Sequence, residues 1–230
     1  MEKENKKWVF SLGGSVFIPK EIDSDYLKDF SALIEKYVKK SHIFRIVTGG
    51  GFYCRKYMKA MKESAYASSN DLYWIGTLIT RLNAELFRSF FSKKNCYNKI
   101  ALDYANWKGT DKPIAVGGGD KIGHSSDYDA FHFALSEGIK TVINVTNVDY
   151  VYDKDPRNNK DAKPLKKLSW QEYLNLVGNE FNPGDNFPFD PIASKACLKY
   201  NISVIITNRD IANIERILQG KDFKGTILHP

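Results

Sequence analysis

Three glycine clusters are the residues of this chain best suited to chemistry. They occupy positions 13–14, 49–51 and 117–119, and each follows an apolar run directly. Glycine at such a turn lets the backbone approach a phosphate closely, and the N–H groups at the start of the next helix point at the anion. One cluster alone is weak evidence, because turns use glycine for its freedom to adopt positive φ. Three clusters indicate a ligand set that carries several phosphates.

Two polar segments offer further binding groups. Residues 120–127 read D-K-I-G-H-S-S-D, where hydroxyl and N–H groups at a helix start can bind phosphate, although Ser125 or Ser126 can equally cap the helix. Residues 145–156 read V-T-N-V-D-Y-V-Y-D-K-D-P, a loop that can hold an adenine against a tyrosine face. Neither the P-loop pattern G-x-x-x-x-G-K-[ST] nor the dinucleotide pattern G-x-G-x-x-G occurs, and the protein kinase signatures are also missing.

Strands and helices alternate along the chain. Apolar, mostly β-branched runs predict strands over 8–12, 43–48, 113–116, 141–146 and 202–207, with a weaker candidate over 99–102. Apolar residues at helical spacing predict a helix that starts at Asp23 or Ser24, a second over about 53–63 and another over 126–137. A long helix is predicted after a loop at 64–70, and a last helix is predicted to end at residue 219. Strand, glycine turn and helix in repeated order indicate parallel strands covered by helices on both faces. The ligands of such sheets bind beyond the carboxyl ends of the strands, where the glycine clusters lie.

Local signals fix several further boundaries. Ser169 and Glu172 match a capping box, in which each side chain satisfies the other residue's free N–H group. Asp190 and Pro191 match a helix start, where the missing N–H of proline does no harm. The polar stretch 153–167 is predicted to be a loop, long enough to suggest a function.

Composition narrows the class of protein. The chain has 230 residues, of which 43% are hydrophobic and 27% charged, so disorder and collagen-like fibres are excluded. No apolar run reaches the 18 residues that a membrane span needs. The three cysteines are scattered and form neither a disulfide framework nor a zinc cluster. Because no export signal is apparent either, we expect a cytoplasmic protein. The net charge of +7 is compatible with nucleic acid, an anionic membrane face or phosphorylated metabolites. The basic residues are dispersed, which favours phosphorylated metabolites as partners.

An ordered set of motifs resembles the amino acid kinase family and, within it, the archaeal-type uridylate (UMP) kinases. The motifs lie at 12–15, 49–51, 55–57, 79–81, 123–127, 146–149, 151–152, 155–156, 190–195 and 225–226. The resemblance implies one α/β domain over residues 1–230, a three-layer α/β/α sandwich around a mostly parallel sheet. The N-terminal half would bind the phosphate acceptor and the C-terminal half ATP. The implied reaction is phosphorylation of UMP by ATP and Mg²⁺ in pyrimidine nucleotide synthesis, in a homohexamer with no nucleic-acid or membrane partner.

The resemblance also assigns roles to individual residues. The catalytic group is Gly13, Gly14, Ser15, Arg55 and Lys195. The ATP-binding group is Gly51, Arg55, Thr146, Asn147, Tyr152 and Asp155. The acceptor-binding group is Gly50, Asp71, Asp120, Lys121, Ile122, Gly123, His124, Ser125 and Ser126. No side chain is expected to ligate Mg²⁺, which the phosphates would carry.

The chain departs from the family pattern at several positions. Ser11 stands where many members have Lys and archaeal UMP kinases often have Asp, and Tyr150 stands where glycine is usual. Asp71 lies about two positions before the expected acidic acceptor contact, and 182–186 replaces a run richer in glycine and serine. Two alternatives therefore stay open: a kinase of this fold with another phosphate or carboxylate acceptor, and a non-catalytic nucleotide-binding or storage oligomer. A nucleic-acid binder ranks last, because no aromatic-basic recognition motif occurs.

Overall fold

The computed structural model describes residues 6–156, 158–178, 180 and 187–230, so the segment 182–186 lies outside the described residues. The strands are β1 (Lys7–Leu12), β2 (Ile43–Thr48), β3 (Ile114–Gly117), β4 (Thr141–Val145), β5 (Val151–Tyr152), β6 (Pro164–Leu165), β7 (Lys167–Ser169), β8 (Ser203–Thr207) and β9 (Thr226–His229). The helices are α1 (Gly14–Phe17), α2 (Ser24–Val38), α3 (Gly51–Lys62), α4 (Ser69–Arg88), α5 (Ser126–Ser136), α6 (Trp170–Val177), α7 (Pro191–Lys199) and α8 (Ile211–Leu218).

Seven of these strands form one sheet in the order β3-β2-β1-β4-β8-β9-β7. Every neighbouring pair is parallel except β8 and β9, which run antiparallel. The glycine clusters at 13–14, 49–51 and 117–119 come at the carboxyl ends of β1, β2 and β3, three adjacent strands. The sheet therefore carries all three clusters to the same edge, as the sequence predicts.

Helices cover both faces of the sheet. On one face Phe10 of β1 packs edge-on against Phe30 of α2, which in turn packs against Phe87 of α4. On the other face Val9 of β1 belongs to a core with residues of α5, α6 and α7, among them the fully buried Trp170. Neighbouring side chains of one strand thus enter different cores, because side chains alternate across a sheet. The predicted α/β/α sandwich is confirmed.

Three helix starts follow the predicted caps. The carboxylate of Asp23 accepts the N–H of Tyr26 at 3.0 Å, and α2 begins one residue after Asp23. Ser169 and Glu172 form the predicted capping box at α6. Asp190 caps α7 and Pro191 is its first residue. These starts were readable because each depends on residues only two or three positions apart.

Other elements differ from the sequence prediction. The strand predicted at 99–102 is wrong: only Ala101 forms a bridge, to Gly117. The helix predicted from residue 53 begins at Gly51, and the predicted loop at 64–70 ends at Ser68, which caps α4. The predicted loop 153–167 contains β6, which pairs antiparallel with β5. Among the described residues, no helix has both the length and the apolar character that crossing a bilayer requires.

Candidate active site

The first two glycine turns touch each other beyond the ends of β1 and β2. A Cβ atom on Gly14 would lie 2.1 Å from the backbone N of Gly51, a distance that no side chain tolerates. Gly51 also has a φ of +70°, a conformation that favours glycine. The carboxamide of Asn83, buried on α4, donates to the carbonyl oxygens of Gly49 at 2.8 Å and Gly50 at 3.1 Å. The two turns are therefore held as one backbone surface.

The third glycine cluster serves a different purpose. A Cβ atom on Gly118 would lie 2.7 Å from the Cα atom of Arg81, and one on Gly117 would lie 2.1 Å from the hydroxyl oxygen of Tyr104. The N–H of Gly119 donates to the hydroxyl of Thr80 at 2.8 Å. This cluster lets α4 pack closely on the sheet, so its glycines are explained by packing without a phosphate.

Four helix N-termini converge on the edge where the first two turns meet. α5 is capped by Ser125, whose hydroxyl accepts the N–H of Tyr128 at 3.1 Å, and α7 is capped by Asp190. By contrast, α1 and α3 start at Gly13 and Gly50 with no side-chain cap among the described residues. The free N–H groups of α1 and α3 are the ones available to an anion.

A cavity of about 510 Å³ opens at these helix starts. Residues predicted for the site that line it are Ser15, Gly50, Gly51, Arg55, His124, Ser125, Ser126 and Asn147. The remaining lining residues are Cys54, Met58, Tyr73, Gly76, Thr77, Thr80, Asp127, Phe187 and Asp190. We call this the first cavity. It combines uncapped helix starts with the guanidinium of Arg55 and is suited to a phosphate-bearing ligand.

A second cavity of about 630 Å³ lies along the loop that follows β4. Its wall consists of residues 146–156 together with Leu176, Val177, Phe187 and Pro188. It includes the predicted residues Thr146, Asn147, Tyr152 and Asp155. The rings of Tyr150 and Tyr152 meet edge to face with centroids 6.3 Å apart. Asn147 and Phe187 line both cavities, so the two cavities adjoin.

A network of hydroxyl and carboxyl groups forms part of the wall of the first cavity, with Ser11 and Asp190 buried and Ser125 and Asp127 half-buried. Asp127 accepts the hydroxyl of Ser11 at 2.7 Å and the backbone N–H of Asp190 at 2.9 Å. The hydroxyl of Ser125 donates to the carboxylate of Asp190. Burial raises the pKa of Asp127 to about 7, and burial also raises the pKa of Asp190. Ser11 therefore meets a carboxylate that is neutral or charged depending on pH near neutrality.

A second carboxylate supports the wall formed by residues 120–124. Nδ1 of His124 lies 3.1 Å from one oxygen of Asp129, whose side chain is fully buried, and the N–H of Asp120 donates to the other oxygen at 3.0 Å. Ligand atoms of Asp120, His124 and Asp129 lie within 4.8 Å of one another. Since Asp129 already serves its two neighbours and burial raises the pKa of its carboxyl, we assign no metal there.

Comparison with known proteins agrees with this geometry. Residues 6–208 match the model of the amino acid kinase family. The chain is 34% identical over 218 residues to the uridylate kinase of Thermoplasma volcanium, covering 94% of this chain and 95% of that protein. It is 34% identical over 227 residues to the uridylate kinase of Pyrococcus abyssi, covering 96% and 99%. The chain belongs to the amino acid kinase family.

Solved structures show the same family fold. The uridylate kinase of Archaeoglobus fulgidus superposes with a TM-score of 0.81 at 30% identity, over 97% of this chain and 99% of that one. The UMP kinase of Bacillus anthracis superposes with a TM-score of 0.77 over 99% and 97%, and at 18% identity it supports the fold alone. The three-layer sandwich is thus the amino acid kinase fold.

Several residues that the family resemblance singles out lie away from the cavity walls. Gly13 and Gly14 form the backbone behind Ser15, with the N–H of Gly13 donating to the carbonyl of Val145 at 2.9 Å. Asp71 is exposed in the capping box of α4, where its carboxylate accepts the N–H of Ser68 at 2.8 Å. Within the described part of the chain, the exposed Lys195 on α7 also lines neither cavity. The same holds for four residues of the loop before α5: Asp120, Lys121, Ile122 and Gly123.

Sequence reasoning missed the residues of α4 that hold the glycine turns. Arg81 donates to the carbonyl oxygens of Gly119 at 2.8 Å and Asp120 at 2.9 Å, while Asn83 holds the second turn. Thr80 and Arg81 belong to the motif at 79–81. That they hydrogen-bond to the third glycine turn can be recognised only when α4 is known to pass beside the second and third turns. The available signal was the polar Asn83 on the buried side of an otherwise apolar helix pattern.

Proposed function

We propose that this chain transfers the γ-phosphoryl group of ATP to UMP, giving ADP and UDP, as a step of pyrimidine nucleotide synthesis. The observation that carries the proposal is the pair of adjoining cavities that share Asn147 and Phe187 at the edge where the glycine turns meet. Two substrates that exchange a phosphoryl group need two pockets with a common boundary. The relatives named uridylate kinase, aligned over nearly their whole length, support UMP as the acceptor.

In this proposal UMP occupies the first cavity and ATP the second. The first cavity offers the hydroxyl of Ser126, the uncapped start of α3 and the guanidinium of Arg55, which suit a nucleoside monophosphate. The second cavity offers the faces of Tyr150 and Tyr152 for a base. Most of the acceptor site then comes from the N-terminal half and the ATP site from the C-terminal half of a single domain, residues 1–230.

Charge neutralisation and alignment supply the catalysis. An oxygen of the UMP phosphate attacks the γ-phosphorus, the bond from that phosphorus to the β,γ-bridging oxygen breaks, and ADP leaves with the electron pair. The attacking phosphate is already ionised near neutral pH, so no general base is needed. The N–H groups at the starts of α1 and α3, with Ser15 and Arg55, stabilise the charge on the transferring group.

Mg²⁺ fits this arrangement as an ion carried by the nucleotide. The two oxygens of Asp127 are already engaged by Ser11 and by the N–H of Asp190, which leaves the phosphates as the natural ligands. When bound, Mg²⁺ would neutralise charge on the phosphates and favour attack on phosphorus. We propose Lys195 as a further cation. It is the fifth residue of α7, so its side chain must extend back toward the start of that helix to reach the phosphates.

We further propose that the protein is a homohexamer and works in the cytoplasm, where nucleotide pools lie. An exposed apolar stripe on α4 supports self-association: Trp74 is 45% exposed, Leu78 49% and Leu82 66%, at four-residue spacing along one helix face. Leu82→Glu should leave the fold intact and lower the assembled mass. Analytical ultracentrifugation tests this. A wild-type mass of one chain, 26.2 kDa, would contradict the hexamer.

The acceptor is tested by an assay that couples ADP release to a spectrophotometric readout, with ATP, Mg²⁺ and UMP, CMP, dUMP, AMP or isopentenyl phosphate. We expect turnover to be highest with UMP. Faster turnover with another acceptor would refute the assignment of UMP and leave the phosphotransferase intact. ATP binding without turnover for any acceptor would instead indicate a nucleotide-binding protein.

A further inference from the structure

The pair formed by His124 and Asp129 has no role in the mechanism above. His124 lines the first cavity, whereas Asp129 is fully buried behind it on α5. Nδ1 of the imidazole lies 3.1 Å from Oδ1 of Asp129, and Oδ2 of Asp129 accepts the N–H of Asp120 at 3.0 Å. One buried carboxylate therefore joins an imidazole on the cavity wall to the backbone of the preceding loop.

Packing fixes the plane of the imidazole as well. The ring of His132 lies nearly parallel to that of His124, with centroids 5.7 Å apart and an interplanar angle of 10°. The ring of Tyr128 meets it edge to face at 4.7 Å. With its plane set by these rings and Nδ1 engaged by Asp129, the imidazole has Nε2 as its remaining polar atom.

The chemistry of the carboxylate determines what Nε2 can do. Burial raises the pKa of Asp129, and the hydrogen bonds from His124 and from the N–H of Asp120 oppose that rise. Once the carboxyl is ionised it only accepts hydrogen bonds, and Nδ1 then carries the proton that it shares with Asp129. In a neutral imidazole the other nitrogen is then a hydrogen-bond acceptor. A phosphate oxygen offers no proton to such an atom, whereas a sugar hydroxyl does. Asp120, on the loop before α5, and Asp190, at the start of α7, are other charged groups close to the ring, while Lys121 acts on the neighbouring His132.

We propose that Asp129 is a positioning residue for the phosphate acceptor: it holds His124 as the Nδ1–H tautomer, so that Nε2 accepts a hydrogen bond from a hydroxyl of the acceptor's ribose. The inference rests on the proposed function, because it takes the first cavity as the nucleoside monophosphate site. It makes His124 a residue that selects ribonucleotides, and it gives Asp129, which touches no substrate, a measurable effect on that selection.

Asp129→Asn tests the inference with little change in shape. The single oxygen of the amide can keep the N–H of Asp120, which leaves the NH₂ group facing Nδ1 and favours the opposite tautomer of His124. Nε2 then becomes a donor, so the ribose hydroxyl must turn its own proton to another acceptor to keep a contact with the ring. We expect KM for UMP to rise by up to about tenfold, the limit set by loss of one hydrogen bond, with KM for ATP unchanged. Asp25→Asn makes the same chemical change at an exposed carboxylate on α2 that lines neither cavity, and it is the matched control, with unchanged kinetics.

Two analogues, 2′-deoxy-UMP and 3′-deoxy-UMP, locate the contact on the acceptor. Wild type should discriminate against at least one of them, and that discrimination should fall in Asp129→Asn and collapse in His124→Phe. Asp129→Asn should add nothing further in a His124→Phe background, since one residue acts through the other. Unchanged discrimination, an equal loss for UMP and both analogues, or additive effects of the two substitutions would each overturn the inference.

A measurement without substrate separates this inference from the proposed function. Nitrogen-15 NMR of the histidine-labelled full chain at pH 8 should show His124 as the Nδ1–H tautomer in wild type and as the Nε2–H tautomer in Asp129→Asn. A wild-type Nε2–H tautomer would overturn the role of Asp129 whatever the acceptor. The expected tautomers together with no turnover of UMP would refute only the proposed acceptor. Matching melting temperatures of wild type and variant show that both are folded.

Discussion

Asp127→Asn should stabilise the folded chain at pH 8 and have little effect near pH 5. Burial raises the pKa of Asp127 from its ordinary value of 3.8 to about 7. Between about pH 4 and 7 the unfolded chain has lost this proton while the folded chain keeps it, so stability falls as the pH rises through that range. At pH 8 the whole cost of burying the charge is present. An amide does not titrate and avoids that cost.

The structure also indicates that asparagine fits. Its oxygen can accept the N–H of Asp190 and its NH₂ group can donate to the hydroxyl of Ser11, which accepts as readily as it donates. The difference between the two pKa values corresponds to at most about 4 kcal/mol of folding free energy. Because Asp127 lines an open cavity that water enters, we expect about 1–2 kcal/mol, or roughly 3–6 °C in melting temperature for a chain of this length.

Differential scanning calorimetry of wild type and variant at pH 5 and pH 8 measures the effect. Asp71→Asn is the matched control of opposite sign. The hydrogen bonds from Ser68 lower the pKa of Asp71, so its charge is favoured in the folded chain and its loss should lower the melting temperature at pH 8. A lower melting temperature for Asp127→Asn at pH 8, or an equal gain at both pH values, would refute the reasoning.

Three further predictions concern the site. Arg55→Ala should lower kcat/KM by about ten- to a hundredfold with an unchanged melting temperature, because a charge-assisted contact contributes roughly 1.5–3 kcal/mol; wild-type kinetics would make Arg55 a surface residue. Tyr152→Ala should raise chiefly KM for ATP, and Ser126→Ala should raise KM for UMP by roughly two- to tenfold. Steady-state kinetics with each substrate varied in turn measure both effects. Exchanged effects would mean that the two cavities are assigned in reverse. Gly14→Ala should abolish activity and lower the melting temperature, because its Cβ would meet the backbone of Gly51 at 2.1 Å; a thermal melt and activity like wild type would contradict this contact.

The elements that sequence reasoning found are those specified by neighbouring residues. The run over 43–48 has the composition of a buried strand and gives β2 with the same bounds. Asp23, Ser169 and Asp190 cap helices through N–H groups two or three residues away. The parallel sheet then follows from the alternation of strands and helices, which leaves few other ways to bury both faces.

The features that were missed depend on contacts between distant residues. β9 pairs antiparallel with β8, and nothing in its four residues distinguishes it from a tail. The glycines at 117–119 match a phosphate turn in sequence and become a packing surface only once Tyr104 lies against Gly117 and α4 lies against the other two. Likewise Ser125 could be read as a cap or a phosphate ligand, and its bond to Asp190, 65 residues away, shows that its hydroxyl already has both partners.

The two-cavity assignment is tested most directly by a crystal structure of the chain with UMP and a non-hydrolysable ATP analogue. UMP should lie in the first cavity, with its phosphate at the starts of α1 and α3 beside Arg55. The adenine should lie against Tyr152 in the second cavity, with the γ-phosphate pointing across the boundary formed by Asn147 and Phe187. Adenine density over Ser125 and Ser126, or both nucleotides away from the glycine turns, would contradict the assignment.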